Sequence, residues 1–397
     1  MKLNNLRTHA TRAIDYGVMK ACSLLPIKER TIVLHSIPDF SDSTHEFYEY
    51  MRREHAGEGY TLVWLTKDPS KYADYAAKNI HFVRSEGKGL LLKRDYWLSV
   101  CKFAIYTHSA PIRKWRKGQI FIDTTHGASR MKGDDIRPKD EARIIVPNYR
   151  LRSGRNGLEK LMRLQKLPRD KYVIVGIPRT DILFRHRDCL SLLFPDAAEF
   201  KLTAIAMETF KQNHKGWIDS SAGKSYGLNV ISSAQELAEL DAFLREKGVL
   251  LLIKPHPLQD LSYIEMNSLG NIRFITDRML EDAGIQLYEL VENCGTLLTD
   301  YSSIYYEYLL LDRPIGFLIG DMEDYTRGFV IPNPLDEMTG PKINSMETLK
   351  GFFEDVLAGR DDYVEARNQL KDDVFKYKDG KNCQRLYDFM KSLAKDF

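Results

Sequence analysis

Two histidines follow apolar runs in opposite halves of the chain. His126 comes at the end of the run in IFIDTTHGASR (residues 120–130), where it precedes Gly127. A neutral imidazole can accept a proton near pH 7, and the glycine would allow a substrate to approach the backbone closely. His126 is therefore a candidate general base. The alternative is a capping or buried histidine without a chemical role.

The second histidine, His256, lies between two prolines in VLLLIKPHP (residues 249–257). The prolines restrict the backbone on both sides, which suits a rigid hydrogen-bond donor to phosphate. Lys254 lies two residues earlier and could add a positive charge. The alternative is a turn histidine that has no role in chemistry.

A short apolar strand followed by hydroxyl residues and a helix is predicted in GTLLTDYSSIYYEYLLL (residues 295–311). The unpaired N–H groups and the positive dipole end of a helix start favour an anion, and hydroxyls add donors. The candidate phosphate-binding hydroxyls are those of Thr299, Ser302 and Ser303. The alternative is simple N-capping by Asp300 or Ser302. A further candidate phosphate ligand is Arg327, in the segment DYTRGF.

Apolar runs alternate with helical patterns along most of the chain, which predicts a series of βαβ units. Several of the runs are continuous, as is typical of buried parallel strands. Strands are predicted at 31–36, 60–66, 80–84, 102–107, 119–124, 143–146, 172–175, 202–207, 249–254, 272–276, 296–299 and 314–318. Helices are predicted at 43–55, 69–78, 87–100, 233–247, 285–293, 302–311 and from about 345 onward.

These elements predict an α/β protein with two doubly wound, Rossmann-like domains that face a central cleft. Ligands of such sheets bind beyond the carboxyl ends of the strands. Both His126 and His256 fall at such strand ends, so the two histidines are expected at a common ligand site.

The composition excludes several classes of protein. The 397 residues carry a net charge of +3, too small by itself to indicate nucleic-acid binding. The five cysteines are scattered without CxxC spacing, which favours a reducing compartment and argues against structural zinc. The sequence contains no Asp-x-Asp, HExxH, P-loop or GxGxxG pattern, no apolar stretch of membrane-spanning length and no signal-peptide layout. A cytoplasmic protein is expected.

Two features suit the surface of an anionic membrane. A helix through residues 5–25 would carry an apolar face formed by Leu6, Ala10, Ile14, Val18, Cys22 and Leu25. The segment PIRKWRKG (residues 111–118) surrounds Trp115 with Arg113, Lys114, Arg116 and Lys117. The alternatives are a helix packed on the body of the protein and a basic loop that is merely exposed or that binds an anionic substrate.

The chain resembles the CDP-glycerol glycerophosphotransferase family, which comprises teichoic-acid primases and polymerases and related capsule enzymes. The segments that carry the resemblance are, in chain order, SIPDFSDSTHEFYEYM, TTHGASRMKGDD, VGIPRTDIL, METFK, LLIKPHP, LLTDYSSIYYEYLLLDRPIGFLI, DMEDYTRGF and DGKNCQRLYDFM. The resemblance extends from about residue 31 to the C-terminus, and the chain is similar to the short, primase-type members.

The resemblance implies the two-domain GT-B architecture and transfer of a polyol phosphate from a CDP-polyol, with release of CMP. With the N-terminal amphipathic helix expected from the residue pattern over 1–30, the resemblance implies an acceptor domain over 31–190 and a CDP-donor domain over 191–397. His126 matches the proposed base of the family, and His256 matches a histidine that contacts the donor diphosphate. Thr299, Ser302 and Ser303 match the diphosphate-binding segment.

The chain departs from common family patterns at three places. It has Thr125 where Trp is common before His-Gly, Asp-Ser at 42–43 where Asp-Asn is common, and Glu-Thr-Phe-Lys at 208–211 where Pro-Thr-x-Arg is common. The last two departures leave the polyol and the acceptor details open.

The expected donor is CDP-glycerol or CDP-ribitol, and the expected acceptor is a lipid-linked saccharide or a polyol-phosphate polymer. The expected reaction requires no metal cofactor, although it accommodates magnesium carried by the nucleotide. The expected location is the inner face of the bacterial cell membrane, without a nucleic-acid partner. A GT-B glycosyltransferase that uses a nucleotide sugar and a non-catalytic, membrane-docked protein that binds an anionic polymer are the alternatives.

Overall fold

The structure is a computed structural model that describes residues 14, 17–87, 89–108, 111, 116–125, 127–128, 147–165, 167–209, 226–256, 259, 268–320, 322, 329, 331 and 333–394. The chain divides into two compact units. The first comprises Met1–His126, Lys139–Asp181 and Asp379–Phe397, and the second comprises Gly127–Pro138 and Ile182–Lys378.

The strands are β1 Lys28–His35, β2 Thr61–Thr66, β3 Ile80–Arg84, β4 Cys101–Tyr106, β5 Ile120–Asp123, β6 Tyr149–Arg152, β7 Tyr172–Ile174, β8 Leu202–Met207, β9 Val249–Ile253, β10 Ile272–Phe274, β11 Thr296–Thr299, β12 Ile315–Leu318 and β13 Lys342–Ile343. The α-helices are α1 Asp42–Glu54, α2 Leu92–Val100, α3 Leu158–Gln165, α4 Leu190–Leu193, α5 Ala234–Lys247, α6 Asp277–Ala283, α7 Leu287–Asn293, α8 Ile304–Tyr308, α9 Met346–Leu357, α10 Val364–Val374 and α11 Asn382–Leu393. Short 3₁₀ helices lie at Pro69–Tyr75, Arg169–Lys171, Pro178–Phe184, Ala197–Glu199, Leu309–Leu311 and Pro334–Glu337.

The first unit contains a parallel sheet of seven strands in the order β3-β2-β1-β4-β5-β6-β7. Successive residues of β1 contribute to two separate cores. Ile32 and Leu34 pack in the core with α1 and α11, whereas Val33 packs in the core with α2 on the other face. Because both faces are covered, the buried residues 32–34 of β1 are continuously apolar rather than alternating.

The second unit contains a parallel sheet of six strands in the order β10-β9-β8-β11-β12-β13. Helices again cover both faces: α7 and α8 pack in one core, and α5 and α9 pack in the other. Helix α5 begins where the Ser233 hydroxyl accepts a hydrogen bond from the Glu236 N–H, and it ends at Gly248, which has a φ of +74°.

The predicted fold class, two doubly wound α/β domains, is confirmed in both units. The strands at 80–84, 202–207 and 296–299 have the predicted bounds. Two strands were not predicted, because β6 has the polar sequence Tyr-Arg-Leu-Arg and β13 has only two residues. The strand predicted at 143–146 lies outside the described residues.

Three predicted helices differ from those in the structure. The segment 69–78 forms a 3₁₀ helix, Pro69–Tyr75, rather than an α-helix. The helix predicted from residue 87 begins only at Leu92. The helix predicted over 302–311 is divided into α8 and the 3₁₀ helix Leu309–Leu311.

The C-terminal segment Asp379–Phe397 belongs to the first unit, although the sequence analysis placed it with the second domain. The Asp181 carboxylate accepts the backbone N–H groups of Asn382 and Cys383, at 2.9 and 2.8 Å. These bonds satisfy N–H groups at the start of α11, which have no partner within the helix. The division into acceptor and donor domains at 190/191 stays a prediction.

The predicted N-terminal helix is described only in part. Residues 17–22 are helical, and Met19 packs against a core of the first unit. Leu24 is 87% exposed, and the predicted segment 1–30 overlaps β1, which begins at Lys28. Within the described part of the chain, no helix is both long enough and apolar enough to span a bilayer.

Candidate functional site

In the second unit, three adjacent strands end at one edge of the sheet, and each is followed by polar residues. Strand β8 lies between β9 and β11, and all three are parallel. Lys254 and His256 follow β9, Thr209 follows β8, and Asp300 and Ser302 follow β11. Because neighbouring strands lie about 4.8 Å apart, this order brings the predicted segments around His256 and Ser302 to the same edge, one strand apart.

Asp300 organises the turn between β11 and α8. Its buried carboxylate accepts hydrogen bonds from the Thr209 N–H at 2.8 Å and from the Thr209 hydroxyl at 3.0 Å. The same carboxylate accepts the Ser302 N–H at 2.8 Å. Asp300 therefore ties the segment after β11 to the segment after β8.

The hydroxyls of Ser302 and Ser303 are not used to cap the helix. Ser303 occupies the N-cap position of α8 without a side-chain cap hydrogen bond, and Asp300 rather than Ser302 accepts a local N–H. Both serines are half-buried, and neither hydroxyl has a hydrogen-bond partner among the residues that the structure describes. The two predicted hydroxyl donors are therefore available to a ligand.

Thr299, the third predicted hydroxyl ligand, is engaged within the sheet. Its side chain is fully buried, and its hydroxyl donates to the Met207 carbonyl at 2.7 Å. A hydroxyl has one hydrogen to donate, so this bond links β11 to β8. A role for Thr299 as a phosphate donor would require that bond to open.

Lys254 is also engaged, through its ammonium group. Its side chain is 2% exposed, and Nζ lies 2.7 Å from the Asp277 carboxylate and 3.0 Å from the Pro255 carbonyl. His256 is half-buried, and its carbonyl accepts the Gln259 N–H at 2.9 Å. Lys254 therefore holds the start of the Lys-Pro-His segment.

Arg327 lies outside the described residues, whereas Phe329, two residues later in the sequence, is described. Phe329 packs edge-on against the ring of Tyr301, with 5.5 Å between ring centroids and an interplanar angle of 74°. Tyr301 belongs to the segment that carries the candidate hydroxyls. The chain that bears Arg327 thus returns to that segment two residues later.

His126 also lies outside the described residues, whereas its neighbours on both sides are described. On one side, Thr125 has a φ of +60°, which is uncommon for a residue other than glycine, and its N–H donates to Asp123 at 2.8 Å. Asp123 is buried and pairs with Arg150 at 2.7 Å. On the other side, the buried Ala128 N–H donates to Glu307 at 3.2 Å.

Glu307 is a further polar residue near this site, and no role was predicted for it from the sequence. It lies within an apolar segment, Ile304–Tyr308, and it is fully buried there. The sequence does contain a signal for Glu307, namely a single carboxylate within an apolar helix. Such a carboxylate, when buried, requires hydrogen-bond donors nearby.

The first unit has its own polar cluster at the carboxyl edge of its sheet, also not predicted as a site. The Arg179 guanidinium lies 2.9 Å from the Asp42 carboxylate, and both side chains are largely buried. Asp42 has a φ of +64°, a conformation that costs free energy for a residue with a Cβ. The Thr107 hydroxyl, after β4, accepts the Ile37 N–H, after β1, at 3.3 Å.

A family model matches nearly the whole chain. The family is described as CDP-Glycerol:Poly(glycerophosphate) glycerophosphotransferase, and the match covers residues 18–392.

Two curated relatives are informative about length. The teichoic acid ribitol-phosphate primase of Bacillus spizizenii is 24% identical, and the match covers 98% of this chain and 98% of that protein. The teichoic acid poly(glycerol phosphate) polymerase of Staphylococcus epidermidis is 22% identical, and the match covers 93% of this chain but 52% of that protein. The chain thus spans about half the length of the polymerase.

The fold is similar to that of a solved structure of the wall teichoic acid polymerase TagF. The TM-score is 0.72 at 20% identity, with 100% of this chain and 97% of that chain covered. A UDP-GlcNAc 2-epimerase of Methanocaldococcus jannaschii is less similar, with a TM-score of 0.52 at 10% identity. The likeness to TagF supports the GT-B-like fold.

Proposed function

Because the chain belongs to the CDP-glycerol:poly(glycerophosphate) glycerophosphotransferase family, we propose that it transfers a polyol phosphate from a CDP-polyol to a hydroxyl group of a teichoic-acid-type acceptor. The product side of the reaction is an extended acceptor and CMP. The observation that carries this proposal is the edge of the second sheet, where the His256 segment and the serine segment follow the two strands that flank β8. Within the described residues, the hydroxyls of Ser302 and Ser303 have no hydrogen-bond partner there.

The donor diphosphate is assigned to this edge. Phosphate oxygens accept hydrogen bonds, and charge-assisted bonds to them are about twice as strong as neutral ones. Ser302 and Ser303 supply hydroxyl donors, His256 supplies a ring N–H, and Arg327 supplies a guanidinium. Asp300 holds the serine segment in place and leaves both hydroxyls free for the ligand.

His126 is assigned as the general base. The acceptor hydroxyl gives its proton to the imidazole, and the oxygen attacks the β-phosphorus of the donor. The bond between that phosphorus and the bridging oxygen breaks, and CMP leaves with the electron pair. Positioning of the two substrates and hydrogen bonding to the developing charge supply most of the acceleration in reactions of this type.

The acceptor is proposed to be lipid-linked or polymeric, and the protein is proposed to work at the inner face of the cell membrane. The exposed Leu24 and Leu25 support surface docking, because they extend apolar area from the N-terminal helix. Arg116 of the basic segment does not serve this purpose in the structure. Its guanidinium donates to the carbonyls of Leu25 and Ser99, at 2.8 and 3.1 Å.

A donor screen tests the proposed function. The purified chain is incubated with an acceptor and with CDP-glycerol, CDP-ribitol, UDP-sugars or GDP-sugars, and the released nucleotide is measured. Release of CMP from one or both CDP-polyols, with mass gain of the acceptor by one polyol phosphate, is expected. Release of UDP or GDP alone would replace the proposal by a glycosyltransferase. Binding of acceptor without turnover of any donor would indicate a binding protein.

A further inference from the structure

Glu307 connects two segments that are far apart in sequence, the chain that follows His126 and the helix that follows Ser303. Its carboxylate is fully buried in the second unit, on α8. One oxygen accepts the Ala128 N–H at 3.2 Å, and the other accepts the Tyr288 hydroxyl. Ala128 and Glu307 both belong to the second unit.

We propose that Glu307 is a positioning residue for His126, a proposal that rests on the proposed function. Ala128 is two residues after His126, and Glu307 is four residues after Ser303. A hydrogen bond between them holds the chain next to the candidate base against the helix whose start carries a candidate phosphate ligand.

The cost of burying Glu307 supports this assignment. A carboxylate without exposure is unfavourable unless donors satisfy its oxygens, and an apolar residue would fill the same space without that cost. The oxygens are satisfied by the Ala128 backbone and by Tyr288, and Tyr288 is itself buried.

A second carboxylate holds the chain on the other side of His126. Asp123, at the end of β5, accepts the Thr125 N–H at 2.8 Å and is itself held by Arg150. The anchored N–H groups of Thr125 and Ala128 are three residues apart. Each of the two carboxylates therefore anchors a backbone N–H within two residues of the candidate base.

Two conservative variants separate the reach of the side chain from its charge. Glu307→Asp keeps the charge but withdraws the acceptor by about 1.5 Å, the length of one C–C bond, which breaks a bond that measures 3.2 Å. Glu307→Gln loses the charge but keeps an oxygen at the same reach. Tyr288→Phe is the matched control, because it removes a different donor to the same carboxylate and keeps the bond from the Ala128 N–H.

The first measurement is amide hydrogen exchange of the peptide that contains Ala128, which does not depend on activity. Exchange is expected to be faster in Glu307→Asp and unchanged in Glu307→Gln and Tyr288→Phe. The second measurement is turnover and donor affinity. In Glu307→Asp, kcat is expected to fall by about 10- to 100-fold with the donor Kd unchanged. Glu307→Gln is expected to retain more of the wild-type kcat than Glu307→Asp, and Tyr288→Phe is expected to stay within about threefold of the wild type.

Unchanged exchange in Glu307→Asp would overturn the anchor, whatever the turnover. Faster exchange with unchanged kcat would overturn the positioning role. Loss of kcat in Glu307→Gln and in Tyr288→Phe, in proportion to a fall in melting temperature, would mean that Glu307 acts only through stability. If the wild type releases CMP from no CDP-polyol, the proposed function fails, and the exchange measurement still decides whether Glu307 holds the chain.

Discussion

The Asn382 side chain packs directly against the backbone of Gly176 in the first unit: a Cβ on Gly176 would lie 1.8 Å from Asn382 Oδ1. Asn382 is buried at the start of α11, and its side-chain amide donates to the Thr180 hydroxyl at 3.0 Å. The C-terminal helix therefore docks against a backbone position that only glycine accommodates.

We expect Gly176→Ala to destabilise the first unit by about 2–4 kcal/mol. The left-handed φ of +88° costs roughly 1–2 kcal/mol, and displacement of Asn382 loses hydrogen bonds worth about 1 kcal/mol each. Gly157→Ala is the control, because Gly157 has a φ of +62° but no atom within 4 Å of its added Cβ. Chemical denaturation measures both, and equal losses would mean that contact with Asn382 contributes nothing.

The two candidate histidines should have different kinetic effects. His126→Ala is expected to lower turnover by roughly 10²–10⁴-fold while donor affinity is kept, because a base acts on the acceptor. His256→Ala should weaken donor binding as well. His186→Ala is the control, since that side chain is 72% exposed and pairs with Glu292. Near-normal turnover of His126→Ala would contradict the assignment of His126 as the general base.

Loss of the two serine hydroxyls should weaken binding of the donor's phosphates but not binding of its nucleobase. Ser302→Ala combined with Ser303→Ala is expected to weaken binding of a CDP-polyol by about 1.5–3 kcal/mol per lost hydrogen bond to phosphate, with little effect on cytidine. Calorimetric titration of both ligands measures the difference. Ser191→Ala, which removes an exposed hydroxyl bonded to Asp188, is the control. Equal losses for the two ligands would contradict the assignment.

Membrane docking should depend on the N-terminus and on the basic segment. We expect sedimentation with anionic vesicles at low salt, weakened by deletion of residues 1–16, which spares the packed Met19. Neutralising Arg113, Lys114 and Lys117 should weaken vesicle binding further, by on the order of 1 kcal/mol per cation. Arg278→Gln is the control and should not weaken it, because Arg278 is an exposed cation outside both segments. Arg116 is kept because it binds the Leu25 carbonyl. If the intact protein does not sediment with anionic vesicles at any salt concentration, surface docking is wrong.

The Asp361–Arg367 pair predicts a pH-dependent contribution to stability. Burial raises the pKa of Asp361, but the hydrogen bonds from Arg367 and from the Tyr363 N–H, together with the charge of Arg367, outweigh burial and hold the pKa below the ordinary 3.8. A carboxyl whose folded pKa is depressed stabilises the protein above its unfolded pKa, and this stability is lost as the pH falls through the folded value.

Asp361→Asn should therefore cost about 1–3 kcal/mol at pH 7, since Arg367 is left buried, and less below pH 3.8. Urea unfolding at several pH values measures this difference. Asp355→Asn is the control, because its pair with Arg360 is exposed and worth at most about 1 kcal/mol. A loss that is independent of pH would show that the ion pair is not its cause.

The sequence alone determined the sheet cores and the places where ligands can bind. Parallel strands covered on both faces must be apolar along their length, so β8 and β11 are recognisable as continuous runs. The polar residues that follow them must lie at the carboxyl edge. His256, Ser302 and Ser303 could therefore be selected before their surroundings were known, and the family resemblance supplied their expected roles.

Only the tertiary structure decided which distant residues meet. Ala128 and Glu307 are 179 residues apart, and Asp181 and Asn382 are 201 residues apart. No local pattern encodes such pairs, because strand order and helix docking determine them after the chain has collapsed. The polar strand β6 shows the same dependence: Tyr-Arg-Leu-Arg has no apolar run, and it becomes a strand because β5 and β7 provide hydrogen-bond partners on both sides.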